Sequence, residues 1–415
     1  MDMLRTIPAG VRILALGIAL AFAPAAVWAQ SGEDPPKLAQ STYNKLTDAR
    51  EKMEESQYDA AISDMQALLD ELEDRDYDRA ITLQTMGYAH LGKSDYDAGI
   101  ASFEQALALE ALPTEAQLGA QHALARLYAA EARYAEARDA LTTWMDTEGA
   151  EPAADDYALL GNIHAQLGEH GAGITAMRKA IELEDAPKES YYQLLLALCF
   201  EGERFGEAAQ VLERMVRHWP GNAAYWRQLA SVYMNLGRDT EAHATLRIAH
   251  RKGLLESERE LLNLVQLAFA IDLPDHAARV LEEEMADGRI SRSQRNLEML
   301  AEAWASAKQY DEAIAAYQRL AESTGSGKYL LSQAYLHMQR DDWAAVAESA
   351  EAAVGAGGLD SPGRAWMLLG MARIRQEQPD AGLEAMTRAA EYRDTAQQAR
   401  QWIAHVKRQQ RDAGS

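Results

Sequence analysis

Apolar and small residues recur along this chain at helical spacing, and the pattern repeats. Segments of the form Tyr-Asp-x-Ala end at Ile62, Ile100, Arg138 and Ile314. Aligned on their small residue, the series runs Ala61, Gly99, Ala137, Gly173, Ala208, Ala242, Ala277, Ala313 and Gly382, with Val346 in the remaining place. The intervals are 38, 38, 36, 35, 34, 35, 36, 33 and 36 residues, which leaves ten units and little room for a separate domain. A second small residue lies 12 positions earlier in most units, at Ala49, Gly87, Ala125, Gly161, Ala230, Ala301 and Gly370. Large apolar residues flank it, as in Leu124-Ala125-Arg126-Leu127-Tyr128. Each unit is therefore expected to be two amphipathic helices joined by a short turn carrying Gly or polar residues, such as Leu167-Gly168-Glu169 or Leu236-Gly237-Arg238.

Small residues at matched positions let two helices approach closely. One hairpin buries only one face, so its neighbours must cover the other and the units stack. Pro113, Pro152, Pro187 and Pro220-Gly221-Asn222 fall where units end. After the tenth unit, Ala396, Ala399, Trp402, Ile403 and Val406 share one face of a further helix, expected to cap the stack. Its basic end (Arg400, Lys407, Arg408, Arg411) is read first as cations favoured by a helix C-terminus, and second as a patch for an acidic partner or lipid.

The pattern resembles the tetratricopeptide repeat (TPR) family from about residue 42 to residue 393. Tyr157-Ala158-Leu159-Leu160-Gly161 and Trp366-Met367-Leu368-Leu369-Gly370 match that motif's aromatic-x-x-Leu-Gly opening. Three units depart from it. The first has Asp48 where Leu belongs, the seventh has Pro274 and no turn glycine, and the ninth is expected to carry a two-residue insertion between Tyr335 and Trp343. The resemblance implies an all-α, right-handed superhelical solenoid of about ten hairpins with a C-terminal capping helix. It also implies that the first helix of each hairpin lines an inner surface. Candidate binding residues there are Tyr88, Arg126, Asn162, Gln193, Phe200, Arg227, Met234, Gln266, Phe269 and Arg295. Phe200, Met234 and Phe269 occupy one register in successive units and predict an apolar stripe flanked by Gln193, Arg227 and Gln266, suited to an extended peptide or partner helix. The Lys/Asn set with which some family members grip a C-terminal carboxylate is missing.

Residues 1–29 add a different signal. Arg5 and Arg12 precede an apolar run from Ile13 to Ala23, Pro24 breaks it, and Val27-Trp28-Ala29 suits cleavage before Gln30. The organisation expected is a signal peptide over 1–29, a linker over 30–41, the repeats over 42–393, a capping helix over 394–410 and a tail over 411–415. A retained anchor is the alternative to cleavage, and either places the bulk of the chain outside the cytoplasm. The formal net charge of −23 argues against nucleic acid as a partner. A single cysteine precludes an intramolecular disulfide.

The search for chemistry returns little. The ten histidines form no ligand pattern; His90 and His164 fall in an apolar slot that Cys199 shares, and all three are read as core residues. Gly325-Ser326-Gly327-Lys328 lacks the upstream Gly of a phosphate loop and reads as a linker. Glu71-Leu72-Glu73-Asp74 and Glu282-Glu283-Glu284 are read as solvated faces. The expectation is a non-enzymatic protein-binding scaffold without cofactor, metal site or stable membrane span after signal cleavage. The stretch from Gly357 to Met371, with the export signal and repeat number, resembles periplasmic TPR proteins that accompany TonB–ExbB–ExbD systems of proteobacteria. That implies a periplasmic partner and a role in outer-membrane transport. Two alternatives are a scaffold for envelope assembly or polysaccharide export, and a carrier or enzyme with a pocket inside the stack.

Overall fold

A computed structural model describes residues 37–413, so the signal-peptide reading lies outside the described residues. The described chain is all-α, with 21 helices. In order these are α1 (Gln40–Glu54), α2 (Tyr58–Glu71), α3 (Asp76–Gly92), α4 (Tyr96–Ala108), α5 (Thr114–Ala130), α6 (Tyr134–Asp146) and α7 (Ala154–Gln166). Then come α8 (His170–Leu183), α9 (Glu189–Glu201), α10 (Phe205–His218), α11 (Ala223–Asn235), α12 (Asp239–Arg251), α13 (Glu258–Ala270) and α14 (Pro274–Ala286). The last seven are α15 (Gln294–Ser306), α16 (Tyr310–Thr324), α17 (Gly327–Gln339), α18 (Trp343–Ala356), α19 (Pro362–Arg375), α20 (Pro379–Ala389) and α21 (Ala396–Ala413). Helices α1 to α20 pair as ten hairpins. The chain divides into two compact units, one up to Ala180 and one from Ile181 onward. Within each, consecutive helices pack against one another, and α21 lies against α20 with Ala399 and Val406 buried.

The small residues of the register are buried. Ala125, Ala137, Ala208, Ala230, Ala242, Ala277, Ala301 and Ala313 are each at most 1% exposed, and Gly87, Gly99, Gly161, Gly173, Gly370 and Gly382 are buried. Their partners show what the notch receives. A Cβ on Gly161 would meet the Met177 sulfur at 2.6 Å, one on Gly87 the Phe103 ring at 2.9 Å, and one on Gly370 Met386 Cγ at 2.9 Å. Each intruding side chain comes from the second helix, four residues after its own small residue. The glycine on the first helix thus admits a large side chain as well as a close backbone.

The ninth unit has no insertion. Ala334 stands 12 residues before Val346, and both are fully buried. The seventh is equally regular, with Val265 taking the small place 12 residues before Ala277. What is constant through all ten turns is one left-handed residue, five positions before the register residue of the second helix, the series from Ala61 to Gly382. Only Gly168 and Gly237 are glycines; the others are Ser56, Ser94, Ala132, Glu203, Asp272, Lys308, Asp341 and Glu377, with φ between 54° and 62°. The turn is imposed by packing of the two helices, because an L-residue there costs about 1–2 kcal/mol. Ala132→Gly is therefore expected to raise stability by about 1 kcal/mol, read as a higher urea midpoint at unchanged slope.

Candidate functional site

Successive first helices are tied together by polar rungs. In the first unit Thr42 Oγ1 donates to buried Asp78 at 2.8 Å, Gln84 Nε2 donates to the Ala116 carbonyl at 2.8 Å, and His122 Nε2 meets Asp156 at 2.7 Å. In the second unit Gln193 Nε2 donates to Tyr225 Oη at 2.9 Å, Tyr225 in turn donates to Glu189, and Arg227 pairs with Glu260 at 2.6 Å. Farther along, Gln294 and Glu298 both bond Tyr329 Oη. Burial by itself raises Glu260, but bonds from Ser257 and Arg227 outweigh it and hold the carboxyl at about 2.

These rungs sort the candidate binding residues. Gln193 and Arg227 are exposed but tie neighbouring helices, so part of their bonding capacity is spent inside the protein. Tyr88 is half-buried and packs edge-on to Phe103 with ring centroids 5.0 Å apart; burial raises its hydroxyl pKa. Arg126 and Asn162 are half-buried, and Gln266 and Arg295 are exposed. Phe200 is half-buried, 6.4 Å from the Phe205 ring of its own hairpin, and Phe269 is also half-buried. Met234, between them in register on α11, is 40% exposed. The Gln193–Tyr225 and Arg227–Glu260 bonds make α9, α11 and α13 neighbours on this face.

The readings made for isolated groups fare unequally. His90 and His164 have side chains 13% and 12% exposed, and His164 Nδ1 meets Glu169 at 2.6 Å. Cys199 is fully buried. Gly325 closes α16 in the left-handed region and Ser326 caps α17, which makes that stretch a connector. The solvated reading of Glu282-Glu283-Glu284 is correct for the first two and wrong for the third. Glu284 is fully buried on α14, paired with His250 of α12 at 2.6 Å and with Arg289 at 2.7 Å. It occupies the place seven residues after the register residue of the second helix (Ala277 here), which is apolar and buried in every other unit. A carboxylate is tolerated there because two partners lie within reach.

Sequence reasoning also missed a histidine pair on the same two helices. His243 is 3% exposed, and its ring meets that of His276 edge-on at 5.0 Å. The Nε2 atoms of both rings are buried without a partner. Burial, then His276 and Arg247, push His243 down to about 4; burial, then Arg247 and His250, lower His276, which Asp275 partly offsets. Both are neutral at pH 7.

A cavity of about 150 Å³ is lined by Ile181, Glu184, Asp185, Pro187, Lys188, Tyr191, Tyr192 and His218. Lys188 reaches across it to Glu184 at 2.5 Å and lies 5.0 Å from the Tyr191 ring centroid. This volume is below the roughly 300 Å³ at which small-molecule sites begin. Among the described residues no three His, Cys, Asp or Glu side chains are grouped to hold a metal, and no helix is long and apolar enough to cross a membrane.

Comparison with known proteins agrees with the repeat geometry. Tetratricopeptide-repeat family profiles match residues 157–187 and 200–252. No curated protein matches the chain. Among solved structures, it is similar to a tetratricopeptide repeat protein from Parabacteroides merdae, at 12% identity and TM-score 0.37 over 64% of this chain and 99% of that one. It is similar to MamA from Desulfovibrio magneticus at 18% identity and TM-score 0.37, over 45% of this chain and 99% of that one. It is similar to YrrB, described as a TPR protein with an unusual peptide-binding site, at 16% identity and TM-score 0.35, over 45% and 90%. The profile matches fall on α7–α8 and on α10–α12; these segments are tetratricopeptide repeats, a helical scaffold for binding other proteins, and the same helical register recurs through all ten pairs.

Proposed function

We propose that the protein captures an extended segment of a partner along the face shared by α9, α11 and α13, without catalysing a reaction. One observation carries this reading. Phe200, Met234 and Phe269 take the same register on three neighbouring helices, and the middle one is 40% exposed. An apolar line bordered by Gln193, Arg227 and Gln266 offers contact area for side chains and polar groups for a peptide backbone. Phe200→Asp with Phe269→Asp is expected to weaken partner capture by tenfold or more while the helical melting curve stays near wild type. A partner retained at wild-type yield by the double variant overturns the assignment.

The N-terminal sequence supports export, with the repeats working in the periplasm. Fractionation of cells making the tagged chain, followed by N-terminal sequencing, is expected to recover it from the periplasm beginning at Gln30. The narrower proposal is an accessory role in TonB-dependent outer-membrane transport, supported by the resemblance over residues 357–371. Capture of a TonB-system component that the Phe200/Phe269 variant loses supports it, and capture of envelope-assembly or polysaccharide-export proteins overturns it.

A further inference from the structure

The two ends of the repeat series carry opposite charge. Residues 40–74, α1 and α2 with the turn after them, hold ten Asp and Glu against three Lys and Arg. Two of those three cations are already paired, Lys45 with Glu71 and Lys52 with Asp64. On α1, Asp48 and Glu51, with Glu55 at its C-cap, form one exposed stripe, and among the described residues no ion pair involves them. Tyr43, on the same helix, is the most exposed large hydrophobic residue described, at 55%. At the other end, residues 362–411 hold nine Lys and Arg against five Asp and Glu, in a chain whose net charge is −23. Arg400, Lys407 and Arg408 lie exposed on α21, Arg408 opposite buried Ala399 and Val406 and the other two on the flank beside them, and among the described residues no carboxylate pairs with them. Among the described helices α1 packs on α2 and α3, and α21 on α20, so the acidic stripe faces away from the repeats and the basic one lies along the outer side and flank of α21.

We infer that these stripes fit each other between copies: α21 of one chain docks on α1 of a second. The acidic stripe runs about 10 Å along its helix and the basic one about 12 Å from Arg400 to Arg408, at 1.5 Å per residue. A macrodipole argument accounts for cations near the end of α21 but not for Arg400, which stands in its second turn. A lipid surface is the poorer fit. The outward face of α21 presents Gln397, Arg400, Gln401, Ala404 and Lys407, with no large apolar side chain to enter a bilayer, and the remaining chain is repelled by anionic headgroups. The contact is heterologous, so it extends copy by copy unless the geometry closes a ring. It is also short-ranged, because the Debye length is about 8 Å at physiological ionic strength.

Charge exchange tests it with the whole protein. By sedimentation, the wild type is expected to exceed the mass of one chain at low salt and to return to it at about 1 M, where the Debye length is about 3 Å. The triple variant R400E/K407E/R408E and the triple variant D48K/E51K/E55K are each expected to be single chains at low salt, with unchanged far-ultraviolet circular dichroism. Mixed in equal amounts they restore both complementary contacts, and association is expected to return. Three results overturn the inference: a wild type that stays a single chain at low salt, triple variants that associate like wild type, or folded variants whose mixture stays apart. Binding to phosphatidylglycerol vesicles that R400E/K407E/R408E loses, without self-association, assigns the basic stripe to a membrane instead and equally overturns it.

Discussion

Ala208→Arg abolishes the cooperative unfolding of the repeats around α10. Ala208 is fully buried, and Val211, Leu212 and Met215 of the same helix are buried beside it. An arginine there must either carry an unpaired charge into the helix–helix notch or force α9 and α10 apart. Burying an uncompensated charge and overfilling a packed seam both belong to the mechanisms that cost more than about 4 kcal/mol. Neighbouring hairpins lend each other their dry faces, so the damage spreads beyond one unit. The measurement is a urea titration followed by circular dichroism, with Gln210→Arg, an exposed position on the same helix, as the control. A sharp transition with a wild-type midpoint in Ala208→Arg would show the register of this hairpin to be wrong.

The second large effect is a loss of stability in mild acid. An unfolded histidine binds its proton near pH 6.5, whereas His243 in the folded chain does so only at about 4. Between those values the unfolded state holds more protons, so stability falls as pH drops from about 6.5 and levels off near 4. The size is about 3 kcal/mol for His243, and His276, shifted in the same direction, adds to it. Glu260, held at about 2, keeps its contribution down to about pH 4.5 and loses it between there and about 2, so the two effects overlap only at the acid end of the histidine window. His243→Leu is expected to flatten the urea midpoint between pH 6.5 and 4, with little change at pH 7, where a neutral imidazole with an unpartnered nitrogen is replaced by an apolar group. A variant that keeps the wild-type slope across that window would place the proton uptake elsewhere.

The register of the fold was legible because small residues have one use at a helix crossing. The spacing from Ala61 to Gly382 located every turn, and the left-handed residue follows that spacing without exception. What the turns are made of was not legible. Ala132 and Lys308 carry no local preference for positive φ, and only the helices on either side require it. Glu284 was misread for a related reason. Two neighbours, Glu282 and Glu283, face water, and nothing local distinguishes the third; its partner His250 lies 34 residues away on another helix. The His243–His276 contact is likewise a product of stacking. For the binding face, sequence placed Phe200, Met234 and Phe269 in one register, but not that Gln193 and Arg227 would be engaged by Tyr225 and Glu260.

Glu284 gives one joint of the array an address. A hairpin that presents an aliphatic or alanine residue in that slot can be duplicated, deleted or exchanged with another, because any neighbour supplies an equally greasy wall. Removing the sixth hairpin strips His250 from the carboxylate, and a copy of the seventh placed after any other partner buries an acid with half its counterions. Recombination between repeats should therefore be tolerated through most of the series and penalised at α12–α14, which fixes the order of the hairpins on either side of it.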